Sequence, residues 1–220
     1  MNIAENILKH GLRNVYFLAG TSCGGKSTMA KEISKKYGFI HFHDNHHEEH
    51  FRIWQSICNE KYQPFATKQN QMAWEDLETH FNRSVEEFIA DDIIITEYVQ
   101  FVIIELIKLS QNRKVISDSS WIPLDLLAEI SEYNKIACLL APAELIIRDF
   151  YRRDDHKDFL EHIMTLKEPE KKLKIQNELH RIHAKQTFDD VDKYNLFKIV
   201  RDDESTVENT LKLLENHFSL

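Results

Sequence analysis

The sequence predicts an α/β fold of three layers, in which helices cover both faces of a parallel sheet of five strands. Short apolar runs recur along the chain and are too short to be buried helices. Longer stretches with helical apolar spacing separate these runs. Only five glycines and four prolines punctuate the 220 residues, so helices should predominate. Short apolar strands joined by helices form parallel sheets that are covered on both faces.

The predicted elements follow in order along the chain. The strands are expected at 15–19, 39–43, 114–118, 136–140 and 196–200. Helices are expected at 3–11, at 27–36, over 48–111 with a break near Pro64, at 125–133, over 143–185 with an interruption at Pro169, and at 205–218. Residues 92–96 could form a strand, but their three- and four-residue apolar spacing favours helix. The last helix is predicted to begin with Ser205 as its cap and Glu208 completing a capping box.

Composition narrows the classes of partner and compartment. The chain has 28 basic and 36 acidic residues, a net charge of −8, which argues against nucleic acid as a partner. Its three cysteines are too scattered for a disulfide framework, so we expect a cytoplasmic protein. Neither a signal peptide nor a membrane-spanning stretch is recognisable. We expect a single domain over residues 1–220, with its oligomeric state left open.

A phosphate-binding motif follows the first predicted strand. Gly20, Gly25, Lys26 and Ser27 fit the spacing Gly-x4-Gly-Lys-Ser, between a strand and a helix. Glycines let backbone amides curl around phosphates, and the positive end of the helix adds to the attraction. The lysine suits the β- and γ-phosphates, and the serine hydroxyl suits Mg²⁺. The residues predicted to bind ATP with Mg²⁺ are Gly20, Thr21, Ser22, Cys23, Gly24, Gly25, Lys26, Ser27 and Thr28.

With this motif, the order of elements over nearly the whole chain resembles the P-loop kinases of small molecules. That group includes nucleoside-monophosphate, shikimate and gluconate kinases. The resemblance implies a P-loop NTPase fold with the sheet order 2-3-1-4-5. It also implies a helical lid, which would cover about residues 148–185 here.

Two aspartates at strand ends match positions of this family. The resemblance implies that Asp44 contacts the acceptor hydroxyl and serves as its base, a task that suits a carboxylate. It implies that Asp118 holds Mg²⁺ together with Ser27. Both aspartates could instead be helix or turn caps. Ser119 stands where many members have glycine, and the Asp-Gly-Phe-Pro-Arg segment of nucleotide kinases is absent, which argues against a nucleoside-monophosphate acceptor.

Three arginines lie where the family has its lid. The resemblance implies that Arg148 lies over the adenine and that Arg152 reaches the phosphates, with Arg153 as a companion. A flat, forked guanidinium suits both tasks. The alternative is a solvated charged face that pairs with Asp149, Asp154 and Asp155. Residues 201–205 correspond to the family's adenine loop or form a simple charged turn.

Five histidines are concentrated just after the second strand: His41, His43, His46, His47 and His50. No zinc spacing with cysteines accompanies them, so we favour polar acceptor contacts or plain surface over a metal site, which stays the alternative. The further acceptor-side candidates are Arg52, Arg83 and Trp121. For each of these three residues taken alone, we favour a structural or solvent-exposed position over a functional one.

The predicted function is ATP-dependent transfer of the γ-phosphate to a hydroxyl of a small molecule. Lys26, Arg152 and Arg153 would hold the transferred group while Asp44 activates the acceptor. One alternative is a nucleoside or nucleotide kinase. Another, of a different class, is a nucleotide sensor without transfer activity. The acceptor and the choice between ATP and GTP are left open.

Overall fold

The computed structural model of the protein describes residues 3–43, 48–61, 77–92, 96–120, 122–154 and 156–220. Within these residues, the strands are β1 (Val15–Gly20), β2 (Ile40–Phe42), β3 (Val115–Ser117), β4 (Ile136–Leu140) and β5 (Phe197–Val200). They form one sheet of order β2-β3-β1-β4-β5, and every neighbouring pair is parallel. The predicted fold class and strand order are therefore confirmed.

Helices connect the strands. They are α1 (Glu5–Gly11), α2 (Lys26–Tyr37), α3 (Glu48–Ile57), α4 (Leu77–Phe81), α5 (Val85–Asp92), α6 (Thr96–Leu109), α7 (Leu124–Ile130), α8 (Ala143–Asp149), α9 (Lys157–Thr165), α10 (Pro169–Lys193) and α11 (Val207–Phe218). Short 3₁₀ turns occur at Tyr133–Lys135 and Phe150–Arg152. In the described part of the chain, no helix has both the length and the apolar character of a membrane-spanning segment.

The central strand β1 is apolar on both faces, because each face packs against its own layer of helices. Val15 and Phe17 point to a core shared with α6 and α7, where Leu106 is completely buried. Tyr16 and Leu18 point the other way, against α2 and α11. Successive strand residues alternate between faces, so a strand covered on both sides reads as a continuous apolar run.

The carboxyl ends of the strands gather polar residues at one edge of the sheet. The pairing of β2 with β3 continues beyond their ends, where the Asp118 amide donates to the Phe42 carbonyl oxygen at 3.2 Å. On the other side, the Arg201 amide donates to the Leu140 carbonyl oxygen at 2.7 Å. Ligands of parallel α/β sheets bind outside this edge.

Several predicted helix boundaries are wrong, and two of these errors have a clear physical reason. The helix expected over 143–185 is divided: α8 ends at Asp149, a 3₁₀ turn follows, and α10 begins rather than breaks at Pro169. Proline is well tolerated at a first helical position, because the missing amide has no helical partner there. The same helix also continues to Lys193.

The second error concerns the cap of the last helix. Thr206, not Ser205, is the N-cap of α11, since its hydroxyl accepts a hydrogen bond from the Asn209 amide at 3.2 Å. The Ser205 hydroxyl instead donates to Asp202 Oδ1 at 2.7 Å and closes the preceding turn. Ser205 and Thr206 are adjacent hydroxyl residues, and either type can cap a helix. Because Ser205 closes the preceding turn, Thr206 caps the helix.

Candidate functional site

The phosphate loop depends on three glycines for two different reasons. A Cβ atom at Gly20 or at Gly24 would lie 2.2 Å from the carbonyl oxygen of Leu139 in β4, so packing forbids a side chain at either position. Gly25 has a φ of +96°, and an added Cβ would meet no protein atom within 4 Å. The positive φ therefore favours glycine at position 25, and the space beside this residue is open to a ligand.

Cys23 completes the turn in a left-handed conformation, with a φ of 58°. This conformation is strained for a residue with a side chain, at a cost on the order of 1–3 kcal/mol. The Cys23 carbonyl oxygen accepts a hydrogen bond from Arg201 Nη1 at 2.7 Å, which supports the turn. The loop is therefore held in a curled form by contacts from outside it.

Thr21 fixes the other end of the loop. Its hydroxyl accepts a hydrogen bond from the Ala141 amide at 2.6 Å, and its own amide donates to the Leu139 carbonyl oxygen at 3.2 Å. Thr21 is buried and, like Gly20, does not line the cavity beside the loop. Of the residues predicted to bind the nucleotide, Gly20 and Thr21 therefore support the loop and do not line the cavity.

Lys26 begins α2 and folds back over the loop. Its Nζ donates to the carbonyl oxygens of Gly20 at 3.1 Å and Thr21 at 2.7 Å. The N-cap of α2 is the left-handed Gly25, which has no side chain with which to cap the helix. The first amides of a helix have no partner within it and carry a partial positive charge. Because Lys26, Ser27 and Thr28 line the adjacent cavity, this charged end opens onto it.

The cavity has a volume of about 810 Å³. Its lining includes the cations Lys26, Lys31, Arg152, Arg153 and Arg201 and the acids Asp118, Asp149 and Asp154. A locally positive cavity in a chain of net charge −8 suits a polyanionic ligand. Its walls therefore have the charge and size for a nucleoside triphosphate.

Asp118 is the buried acid of this cavity, and its side chain has no exposed surface. Burial acts to raise its pKa, but the hydrogen bonds from His41 and His43, together with the effect of the nearby Ser27 hydroxyl, outweigh burial and hold the pKa well below the ordinary range of a carboxyl. The carboxylate is therefore charged at neutral pH.

The pair predicted to hold Mg²⁺ is brought together. Ser27 is close enough to Asp118 to influence its ionisation, and both residues line the cavity. Asp118 Oδ2 is buried and accepts no hydrogen bond from the described residues. Magnesium prefers oxygen ligands, so a hydroxyl and an unsatisfied carboxylate oxygen fit this ion.

The predicted lid arginines take two different positions. Arg152 and Arg153 line the cavity, and Arg153 lies close enough to lower the pKa of the Cys23 thiol, which burial nevertheless raises overall. Arg148 does not line the cavity. It pairs with Asp149 and with Asp203 of the segment after β5, both at 2.8 Å.

Of the predicted acceptor-side residues, Arg52 and Arg83 are among the described residues, and neither lines the cavity beside the phosphate loop. Arg83 lines neither described cavity: it donates to the Glu87 carbonyl oxygen at 2.5 Å and lies 4.4 Å from the Phe88 ring. Arg52 is exposed on α3. Asp44, Trp121, His46 and His47 lie outside the described residues.

A second cavity of about 810 Å³ is bordered by the loop that follows β3. Gln100 from α6 and Gln186 and Asp190 from α10 contribute polar groups to it, and Ser120 borders both cavities. Sequence reasoning missed this wall of α10, because the predicted helix ended at residue 185, before Gln186 and Asp190. It also missed Lys31, although one helical turn separates Lys31 from Ser27.

Comparisons with known proteins identify no family. No family model and no curated protein matches the sequence. Among solved structures, the chain is similar to a deoxyadenosine kinase from M. mycoides determined with bound dATP, at 12% sequence identity and a TM-score of 0.46. The match covers 94% of this chain and 99% of that chain. A likeness of this strength assigns no activity and no substrate.

Proposed function

We propose that the protein is an ATP-dependent phosphotransferase that moves the γ-phosphoryl group of ATP to a hydroxyl of a small molecule. The observation that carries this proposal is the curled loop before α2. It opens into a cationic cavity in which a buried carboxylate lies beside Ser27. Phosphoryl transfer needs little covalent chemistry from a protein, and this site offers the positioning and charge that it does need.

The triphosphate would lie against the loop, with its oxygens accepting from the first amides of α2. Lys26 would exchange its contacts with the Gly20 and Thr21 carbonyl oxygens for the β- and γ-phosphates. Arg152 and Arg153 line the same cavity, so they would hold the γ-phosphoryl group as its charge redistributes. Excluding water here would limit hydrolysis of ATP.

Ser27 and Asp118 would hold the magnesium ion that accompanies ATP. Bound there, the ion would neutralise phosphate charge and orient the phosphates for in-line transfer. The histidines beside Asp118 keep its carboxylate ionised, which supports its role as an oxygen ligand.

The base would lie toward the segment after β5. Arg148 pairs with Asp203 of this segment, and Arg201 contacts the loop itself. Arg148 is held by two carboxylates, one of which, Asp149, lines the cavity, and its flat guanidinium is a surface on which an adenine ring could stack. This supports the predicted place of Arg148 at the base rather than at the phosphates.

The acceptor would enter from the second cavity and meet the γ-phosphate near Ser120, which borders both spaces. Asp44 follows His43, which lines the first cavity, so we retain Asp44 as the base. It would take the hydroxyl proton as the acceptor oxygen bonds to the γ-phosphorus. The bond from that phosphorus to the β–γ bridging oxygen then breaks, and ADP leaves.

The test measures ADP formation and product mass with sugars, shikimate-like acids, nucleosides and hydroxylated antibiotics as acceptors. We expect one class to stimulate ADP formation and to gain one phosphoryl group. Asp44→Asn should lose transfer and keep ATP binding, whereas Asp189→Asn, on the exposed face of α10, should keep both. ATP binding without transfer to any hydroxyl compound would contradict the proposal and favour a nucleotide sensor.

A further inference from the structure

We propose that His41, His43 and Asp118 form a binding site for one divalent transition-metal ion of the zinc or manganese type. This ion would be additional to the magnesium ion of the nucleotide. The inference rests on the geometry of three side chains and does not depend on phosphotransfer activity. It shares Asp118 with the proposed magnesium site but uses the carboxylate oxygen Oδ1, whereas Oδ2 is the oxygen left for magnesium.

The three side chains converge on one point. His41 Nε2 lies 3.1 Å and His43 Nδ1 lies 2.9 Å from the same oxygen, Asp118 Oδ1. All three potential ligand atoms lie within 4.8 Å of one another. Ligands bound to one ion at about 2.0–2.2 Å are themselves about 3–3.5 Å apart, so an ion would require only small shifts.

The sheet register explains why two different imidazole nitrogens take part. His41 and His43 are two apart, so they project to the same face at the end of β2. In the parallel register His41 pairs with Ile116, two residues before Asp118. His41 therefore reaches Asp118 with its distal nitrogen, whereas His43, nearer the edge, reaches it with the nitrogen close to its backbone.

The site is enclosed but accessible. The side chains of His41 and His43 are 14% and 21% exposed, and that of Asp118 is fully buried. His43 also lines the cavity beside the phosphate loop, which provides a path of entry. Three protein ligands leave at least one coordination position open, as in metal sites that also bind water or a substrate.

The ligand chemistry selects the class of metal. Magnesium and calcium prefer oxygen ligands, so two imidazoles disfavour both ions. Two imidazoles with one carboxylate suit zinc, manganese, iron, cobalt or nickel. Without an ion, His41 Nε2–H and His43 Nδ1–H donate hydrogen bonds to the ionised Asp118 Oδ1. A bound ion would take the place of these two hydrogens and bind the same three atoms.

The experiment titrates untagged, metal-stripped protein with Co²⁺ and follows the visible absorption of the bound ion. We expect saturation at one equivalent, displacement by Zn²⁺ and no displacement by Mg²⁺. His41→Gln and His43→Gln should each weaken Co²⁺ binding by at least about tenfold. His10→Gln, which alters an exposed histidine of α1, should not.

Three further results separate this site from the nucleotide site. Ser27→Ala and Lys26→Ala should keep Co²⁺ binding, because neither residue is a ligand of the proposed ion, whereas Asp118→Asn should lose it. Circular dichroism verifies that each variant is folded. If His41→Gln unfolds, His43→Gln, which lies at the end of the strand, is the variant that tests the metal site. Absence of saturable Co²⁺ binding to the wild-type protein, or binding that persists unchanged in folded His43→Gln, would overturn the proposal.

Discussion

The guanidinium of Arg201 donates a hydrogen bond of 2.7 Å to the carbonyl oxygen of Cys23, linking the residue after β5 to the phosphate loop. The loop turns at this cysteine in a left-handed conformation. A side chain from a distant strand thus supports the strained point of the loop. The hydrogen bond is charge-assisted and contributes about 1.5 kcal/mol or more.

We expect Arg201→Ala to loosen the loop and weaken ATP binding about tenfold, the change that corresponds to this hydrogen bond. In the ligand-free protein, the half-buried Cys23 thiol should react faster with a thiol reagent. Cys23→Ser identifies the signal of this cysteine, and Arg181→Ala, an exposed arginine of α10, is the control. Unchanged thiol reactivity would show that Arg201 does not support the loop.

Gly24→Ala and Gly25→Ala should destabilise the protein by different amounts. Alanine at position 24 would press against the Leu139 carbonyl oxygen, so we expect the free energy of unfolding to fall by about 2–3 kcal/mol or more. Alanine at position 25 would have space for its side chain but would adopt an unfavourable positive φ, so we expect the free energy of unfolding to fall by about 1 kcal/mol. Urea unfolding measures both, and equal losses would contradict the packing difference.

His180 should make stability fall in mild acid. Burial beside Phe150 and Tyr151, with smaller effects of His183 and His156, lowers the pKa of His180 to about 4. Its unfolded pKa is about 6.5, so between these values the unfolded chain binds more protons and stability decreases as pH falls. The full effect is up to about 3 kcal/mol.

Urea unfolding of wild-type protein and His180→Gln at several pH values between about 7 and 4.5 tests this. The variant should show the smaller pH slope, while His162→Gln, at an exposed position of α9, should match the wild-type slope. If the stability of His180→Gln changed with pH as steeply as that of the wild-type protein, groups other than His180 would cause the acid sensitivity.

Lys172 should contribute to stability although it is charged and buried. Its ammonium donates to Glu78 Oε1, Asn82 Oδ1 and the Lys167 carbonyl oxygen, at 3.0, 2.7 and 2.8 Å. Lys172→Met keeps the apolar stem but leaves these acceptors without their donor, so we expect the Tm to fall by roughly 5 °C. Lys171→Met, an exposed neighbour, should change the Tm little. Equal Tm values for the two variants would contradict a stabilising role.

The sheet was predictable because β1 and β4 are apolar on both faces, and few other structures bury five such residues in a row. The loop was predictable because Gly20, Gly24 and Gly25 are placed where side chains cannot fit or the backbone turns left-handed. Both features are local in sequence, so spacing alone identifies them.

The errors arose where distant residues decide the structure. The convergence of His41 and His43 on Asp118 depends on the register of two strands more than seventy residues apart, which spacing within the histidine cluster does not reveal. The division of the predicted helix after Asp149 depends on packing of Phe150 and Tyr151 against α10. The acceptor-side role of Arg83 stays a prediction, although this residue also contacts Glu87 and Phe88.

Calorimetric titration of Mg·ATP into wild-type protein, Lys26→Ala and Lys35→Ala tests most directly whether the phosphate loop binds a nucleoside triphosphate. Lys35 is an exposed lysine in the last turn of the same helix. We predict one equivalent of ATP on the wild-type protein and on Lys35→Ala, and affinity at least about thirtyfold weaker on Lys26→Ala. Wild-type affinity in folded Lys26→Ala would contradict the proposed site.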